Sequence, residues 1–100
     1  MNQSFWYVRD HGITTDDKYP YRGVLGTCRY NAETDKVWTI SDCTDVTVDS
    51  ETALVASIAK NPVSVAIQAN HLSFQLYKSG VYSGNCGTNL DHGVLAVGYG

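Results

Sequence analysis

An α+β fold is predicted for this 100-residue chain, and the order of its hydrophobic patterns is the main reason. Helical patterns open the chain and recur over residues 49–62, whereas strand-like patterns lie mainly at 63–69 and 92–99. The helices and strands do not show the regular alternation that builds a parallel βαβ sheet. With 43% hydrophobic residues, the chain is long enough for one modest core.

A short helix is predicted over residues 1–12. Met1, Phe5 and Val8 fall on one stripe at helical spacing, and Gly12 stands where a glycine commonly ends a helix.

The region that follows the first helix is predicted as loop and then strands. Residues 13–35 contain many turn-forming residues and a proline between two tyrosines. The segments "KVWTI" (36–40) and "TDVTV" (44–48) are rich in β-branched residues and predict two strands.

The clearest helical pattern is "DSETALVASIAKNP", residues 49–62. Asp49 or Ser50 can cap its start, and the pair Asn61-Pro62 predicts its end.

Three elements are predicted after that helix. "VSVAIQA" (63–69) is apolar on both faces, as expected for a strand in a well-covered sheet. Residues 71–80 predict one or two helical turns that end at Gly80, and residues 92–99 predict the last strand.

The closing segment "NLDHGVLAVGYG" (89–100) raises a functional question. After His92 it is almost entirely apolar or glycine, so an ionisable imidazole stands at the start of a strand whose apolar pattern is typical of a buried one. Such a residue is either a structural histidine or one half of a catalytic pair. A lone histidine before a strand is more often structural, so this segment alone leaves both interpretations open.

Composition excludes several classes of function. The formal net charge is −3, so no basic surplus indicates nucleic acid or anionic lipid as a partner. No apolar run approaches the roughly 20 residues of a membrane-spanning helix, and we expect no membrane partner. Cys86, Asp91 and His92 lack the paired spacings of a metal site, so no metal or other cofactor is predicted.

The three cysteines suggest an oxidising setting. Cys28 and Cys86 lie in polar, glycine-bearing loops, where secreted proteins usually place disulfide-bonded cysteines. In a reducing compartment the three cysteines, with Cys43, would instead be small buried hydrophobic residues. In an oxidising one their odd number leaves either a free thiol or a missing partner, and we favour half-cystines whose partners lie elsewhere.

Five motifs resemble the papain-like cysteine peptidases, particularly the cathepsin L-like branch: "FWYVRDHGITT", "YPYRG…C", "PVSVAIQA", "SFQLYKSGVY" and "DHGVLAVGYG". The resemblance covers essentially the whole chain, which matches about the middle half of a mature enzyme. It implies a papain-like two-lobe fold, with the active site in the cleft between a helical lobe and a β-barrel-like lobe. Residues 1–45 then match the end of the helical lobe, and residues 46–100 match the first part of the β lobe.

The same resemblance implies that His92 is the catalytic histidine of a thiol-dependent endopeptidase. In this chemistry a cysteine thiolate attacks the peptide carbonyl, and the paired imidazolium protonates the leaving amine. The nucleophile is expected outside this chain, because no cysteine here stands in a Cys-Gly-(Ser/Ala)-Cys-(Trp/Tyr) context. The oxyanion-hole glutamine and the asparagine that orients the imidazole are also absent. Residues 1–100 alone are therefore expected to be inactive.

Substrate-binding positions are implied less directly. Met1, Ala66, Leu90 and Gly93 match positions around the pocket for P2, the second substrate residue before the cut. All four are apolar or small, so a hydrophobic P2 residue such as Leu or Phe is expected. Asp91 matches a position that flanks the histidine, where it is either a solvated acid or tunes the imidazole.

The cysteines also have counterparts in the resemblance. Cys28 and Cys86 match half-cystines whose partners lie outside these residues, whereas Cys43 matches no family disulfide. A buried free thiol is the expectation for Cys43, although a Cys28–Cys43 pairing in the isolated chain stays open.

The implied partners are polypeptide substrates, the remainder of the enzyme chain, and propeptide or cystatin-like inhibitors. The implied location is lysosomal, vacuolar or secreted. Two other functions stay open: a catalytically silent relative, in which serine replaces the nucleophile as in silicateins, and a self-standing binding domain.

Overall fold

The computed structural model describes all 100 residues, which divide into two compact units, Met1–Asp45 and Val46–Gly100. The regular elements, in chain order, are α1 (Asn2–His11), α2 (Glu51–Ile58), β1 (Val63–Ile67), α3 (Leu72–Gln75) and β2 (His92–Ala96). This combination of helices with a small sheet confirms the α+β class. The assignment of the two units to lobes of a larger enzyme stays a prediction.

Helix α1 ends at Gly12, as its sequence predicts. Gly12 has φ +81°, a left-handed conformation that favours glycine, and its N–H donates to the Val8 carbonyl at 2.8 Å. A Cβ at this position would also meet the Lys36 side chain and lie 2.9 Å from the Trp38 carbonyl oxygen. Both backbone conformation and space therefore require glycine here.

Two side chains satisfy carbonyl groups in the last turn of α1. The Thr39 hydroxyl lies 3.1 Å from the Val8 carbonyl oxygen, and the Tyr30 hydroxyl donates to the His11 carbonyl at 2.8 Å. Loss of hydration raises the pKa of Tyr30, and the neighbouring Tyr7 and Asp35 add to the rise. These contacts fasten the following chain to the end of the helix, and the bond from Tyr30 gives the His11 carbonyl a partner that the helix does not supply.

The two strands predicted at 36–40 and 44–48 are wrong. Only an isolated bridge forms, in which the Ile13 N–H donates to the Trp38 carbonyl at 2.8 Å. The β-branched content of these segments favours an extended backbone, but a strand also needs a hydrogen-bonded neighbour along its length. The first unit supplies such a neighbour at one residue pair.

Helix α2 begins at the cap that its sequence allows. The Ser50 hydroxyl accepts a hydrogen bond from the Ala53 N–H at 3.2 Å, which identifies Ser50 rather than Asp49 as the N-cap. Asp49 instead has φ 54° and turns the chain into the helix. The helix ends at Ile58, a few residues before Pro62.

Strands β1 and β2 pair antiparallel, with Val63 opposite Ala96 and Ile67 opposite His92. Both strands were predicted, but each is shorter than its pattern: β1 ends at 67 rather than 69, and β2 ends at 96 rather than 99. Every residue of β1 is partly exposed within residues 1–100, as expected if the apolar faces of the isolated chain lie open, and the covering of the sheet by further protein stays a prediction.

Helix α3 is a single turn, and its predicted end at Gly80 is wrong because it stops at Gln75. The segment beyond it folds back through aromatic contacts. Phe74 and Tyr82 meet edge to face with ring centroids 5.4 Å apart, and the Tyr82 hydroxyl lies 2.8 Å from that of Ser73.

No hydrophobic side chain of the chain is buried. Tyr21, Leu25 and Val81 are 92%, 104% and 95% exposed, respectively. Full burial of one such side chain typically contributes about 1.5–3 kcal/mol to folding, and this chain lacks that contribution throughout. No helix has the length and apolar character needed to cross a membrane.

We predict that the isolated chain binds an apolar fluorescent dye strongly and associates as its concentration rises, because exposed apolar surface drives both processes. Dye fluorescence and sedimentation velocity over a concentration series provide the measurement. A sharp, reversible and concentration-independent melt of a monomer would contradict this expectation and favour a self-standing domain.

Gly12→Ala is expected to destabilise the first unit by more than about 1 kcal/mol, because the residue must hold a positive φ in a crowded site. Gly26→Ala is the matched control, since a Cβ at Gly26 meets nothing within 4 Å. Helical circular dichroism during denaturation compares the two variants. Equal stability of both would show that Gly12 is not required.

Candidate active site

The site is built around His92, the first residue of β2. The backbone of His92 is paired with Ile67, at the end of β1, so the sheet holds it in a defined position. Its side chain is exposed, and no residue of the chain makes a hydrogen bond to its imidazole. An exposed imidazole without hydrogen-bond partners can accept a proton from a group outside this chain or donate a proton to such a group.

Asp91, the residue before β2, fixes the backbone at the start of that strand through two hydrogen bonds. The Asp91 N–H donates to the Ile67 carbonyl at 3.1 Å, and the Asp91 carboxylate accepts the Ala69 N–H at 2.7 Å. The two bonds close the end of the sheet immediately before His92. The Asp91 carboxylate is therefore an anchor for the backbone beyond β1, which is a more definite role than either interpretation from sequence.

Gln68 is a site residue that the sequence analysis missed. Its Oε1 accepts the Asn89 N–H at 3.0 Å, and its Nε2 donates to Asn70 Oδ1 at 2.9 Å. Asn89 lies three residues before His92, so the Gln68 side chain ties the segment that precedes His92 to the end of β1. The one available signal was a polar residue directly after the apolar run "VSVAI", and that signal is weak.

The predicted substrate-binding residues of the second unit occupy the same end of the sheet. Ala66 lies opposite Gly93, and strand alternation places this pair on the face opposite to that of Ile67 and His92. A Cβ at Gly93 would meet nothing within 4 Å, so the space beside it is open. Leu90 precedes the anchored Asp91 and is 58% exposed.

Met1 lies in the first unit, where it precedes α1 and is exposed. Its membership of the substrate pocket stays a prediction.

The three thiols are all free in the structure. Cys28 and Cys86 are exposed, and disulfide partners for them outside residues 1–100 stay a prediction. Cys43 was predicted to be buried, and this is wrong, because its thiol is partly exposed and Asp42 accepts its N–H at 2.8 Å. No group of three or more His, Cys, Asp or Glu side chains is placed to hold a metal ion.

A family model described as papain family cysteine protease matches residues 1–100, the whole chain. The oryzain beta chain of Oryza sativa subsp. japonica is 50% identical over all of this chain, which covers 22% of that protein. The KDEL-tailed cysteine endopeptidase CEP2 of Arabidopsis thaliana is 46% identical, also over all of this chain, which covers 28% of it.

A solved structure shows the same architecture. The cysteine protease CMS1MS2 of Carica candamarcensis, in complex with E-64, superposes with a TM-score of 0.88 at 39% identity. That match covers 99% of this chain and 46% of the solved one. The chain thus spans less than half of the structure it matches and about a quarter of the curated relatives.

Asp91→Ala is expected to release the Ala69 N–H and speed its hydrogen exchange by about 10-fold or more, because one charge-assisted hydrogen bond is lost. Asp91→Asn retains an acceptor and is the matched control. Amide exchange followed by ¹⁵N NMR gives the measurement. If the Ala69 amide exchanges at the same rate in Asp91→Ala as in the unchanged chain, the carboxylate is not the anchor.

Proposed function

This chain belongs to the papain family of cysteine proteases, and we propose that it forms the histidine-bearing part of a thiol-dependent endopeptidase. The proposal rests chiefly on His92, which is exposed, unpartnered and held at the start of a paired strand. The position of His92 in the motif "DHGVLAVGYG" and the family match over the whole chain support the same role.

In the proposed mechanism His92 acts as both base and acid. Its imidazole takes the proton of a cysteine thiol, and the resulting ion pair presents a thiolate to the substrate carbonyl. The imidazolium then gives its proton to the leaving amine, so that the peptide bond breaks and an acyl-enzyme forms. Water hydrolyses this thioester and returns the site to its first state.

The nucleophile of this mechanism is proposed to come from outside residues 1–100. Cys28 and Cys86 are exposed loop residues and are proposed to be half-cystines of disulfides. Cys43 lies beside Asp42 in the first unit and is proposed to be a free thiol. Without a thiolate at His92, the isolated chain is proposed to be inactive.

Specificity is proposed to favour a hydrophobic P2 residue, such as Leu or Phe. Support comes from the chemistry of Ala66, Leu90 and Gly93, which offer small or apolar surface and the open space beside Gly93. Asp91 is proposed to act on the substrate site through the backbone that it anchors. Met1 is proposed as a further contact in the first unit.

The proposed substrates are unfolded or exposed polypeptides, and propeptide and cystatin-like proteins are the proposed inhibitors. We also propose the cathepsin L-like branch and a vacuolar, lysosomal or secreted location. Similarity to a relative whose name records a KDEL tail supports the secretory route.

A chimeric protease tests the catalytic role: a papain-family protease whose matched segment is replaced by residues 1–100. We expect this chimera to hydrolyse a peptide amide with Leu or Phe at P2 in a thiol-dependent reaction. His92→Ala should lower the rate of hydrolysis by about 10³-fold or more, because proton transfer fails. The same substrate should remain intact with residues 1–100 alone.

His71→Ala is the control for this experiment, since His71 precedes α3 and makes no side-chain cap bond. It should keep the activity of the parent chimera. Turnover by the isolated chain that depends on His92, or undiminished activity of a folded His92→Ala chimera, would each overturn the proposal. Serine at the nucleophile position in the adjoining coding sequence would instead indicate a silent relative.

A further inference from the structure

We propose that Gln68 is a specificity-positioning residue, which holds the loop carrying Leu90 at the P2 end of the site. The inference rests on the proposed function and deepens it. It assigns a role to a residue that neither the motifs nor the catalytic chemistry identifies.

The loop over residues 84–91 contains no helix or strand, and all of its residues are exposed. Within residues 1–100 this loop is held by hydrogen bonds to the end of β1 and by the bond from the Tyr82 hydroxyl to the Asn85 carbonyl, and the disulfide proposed for Cys86 adds a further tether. Leu90 stands between two of these tethers. Asp91 is bound to the backbone of Ile67 and Ala69, whereas Asn89 is bound to the Gln68 side chain.

The Gln68 carboxamide is itself oriented for this task. Its Nε2 donates to Asn70 Oδ1 at 2.9 Å, so its Oε1 faces the loop and accepts the Asn89 N–H at 3.0 Å. With both ends of the amide satisfied, the half-buried side chain forms a rigid link rather than a mobile one.

Gly87 supplies a second, independent observation. A Cβ at this position would collide with Gln68 Oε1 and lie 2.9 Å from Cδ, so the loop backbone passes directly over the carboxamide. Gly87 has no left-handed φ, so its backbone conformation does not require glycine, and the effect of a Cβ here would be to displace the Gln68 carboxamide. The loop thus meets Gln68 at two points: its backbone lies close to the carboxamide at Gly87, and the Asn89 N–H donates a hydrogen bond to it.

The consequence concerns Leu90, which is 58% exposed and stands between the two tethered residues. If the Asn89 tether is removed, Leu90 samples more positions and gives weaker apolar contact to a substrate side chain. His92 retains its own backbone pairing with Ile67, so proton transfer should change little. Gln68 should therefore affect P2 selectivity more than turnover.

The test compares Gln68→Met, which keeps the volume but loses the acceptor, with Gln68→Glu, which keeps the acceptor. In the chimeric protease, Gln68→Met should lower the kcat/KM ratio of a Leu-P2 over a Gly-P2 substrate by about 2- to 10-fold, mainly through KM. Gln68→Glu should stay within about 2-fold of the parent. Gln75→Met, at the end of α3, is the matched control and should leave the ratio unchanged.

Amide exchange in the chimeric protease gives a readout that does not depend on activity. Gln68→Met should speed exchange at the Asn89 N–H, and Gln75→Met should not. An unchanged ratio or an unchanged Asn89 exchange rate overturns the inference, as does an equal loss of kcat for both substrates. These outcomes leave the proposed function intact, whereas an inactive parent chimera overturns the proposed function and the inference together.

Discussion

The antiparallel pairing of β1 with β2 is the interaction on which the proposed site depends. Its register sets Ile67 opposite His92, and a slip by one residue would move the imidazole to the other face of the sheet. Two side-chain hydrogen bonds extend the contact beyond the paired strands: the Asp91 carboxylate accepts the Ala69 N–H, and the Gln68 side chain accepts the Asn89 N–H. Backbone hydrogen bonds thus place His92, the proposed catalytic residue, while its ring makes no hydrogen bond within the chain.

The second feature is that this placement occurs without a hydrophobic core. A two-stranded sheet is marginally stable in water by itself, and here no hydrophobic side chain is buried against it. The apolar side chains along both strands are therefore available for contact with further protein. This agrees with the proposal that the chain acts as part of a larger protease, since it spans less than half of the solved structure it matches.

Much of the fold could be predicted because local signals specify it. The cap at Gly12, a cap at Asp49 or Ser50, an end of α2 before Pro62 and the apolar runs of β1 and β2 can all be predicted from the sequence. Residues 36–48 could not be predicted in the same way, because strand formation depends on a distant partner that β-branched content does not reveal. Cys43 was placed in the interior by residue type, although its surroundings leave it partly exposed. For the candidate site, the motif identified His92, whereas the Gln68–Asn89 contact joins residues 21 apart and has no spacing rule.

The central claim is that the His92 ring is held open for a sulfur atom that residues 1–100 do not provide. A crystal structure of the complete gene product, with its active thiol unmodified, tests this most directly. We expect the His92 imidazole to lie within hydrogen-bond reach of a cysteine sulfur other than those of Cys28, Cys43 and Cys86. A structure in which His92 bonds only to groups of its own unit, with no thiol nearby, would contradict the account.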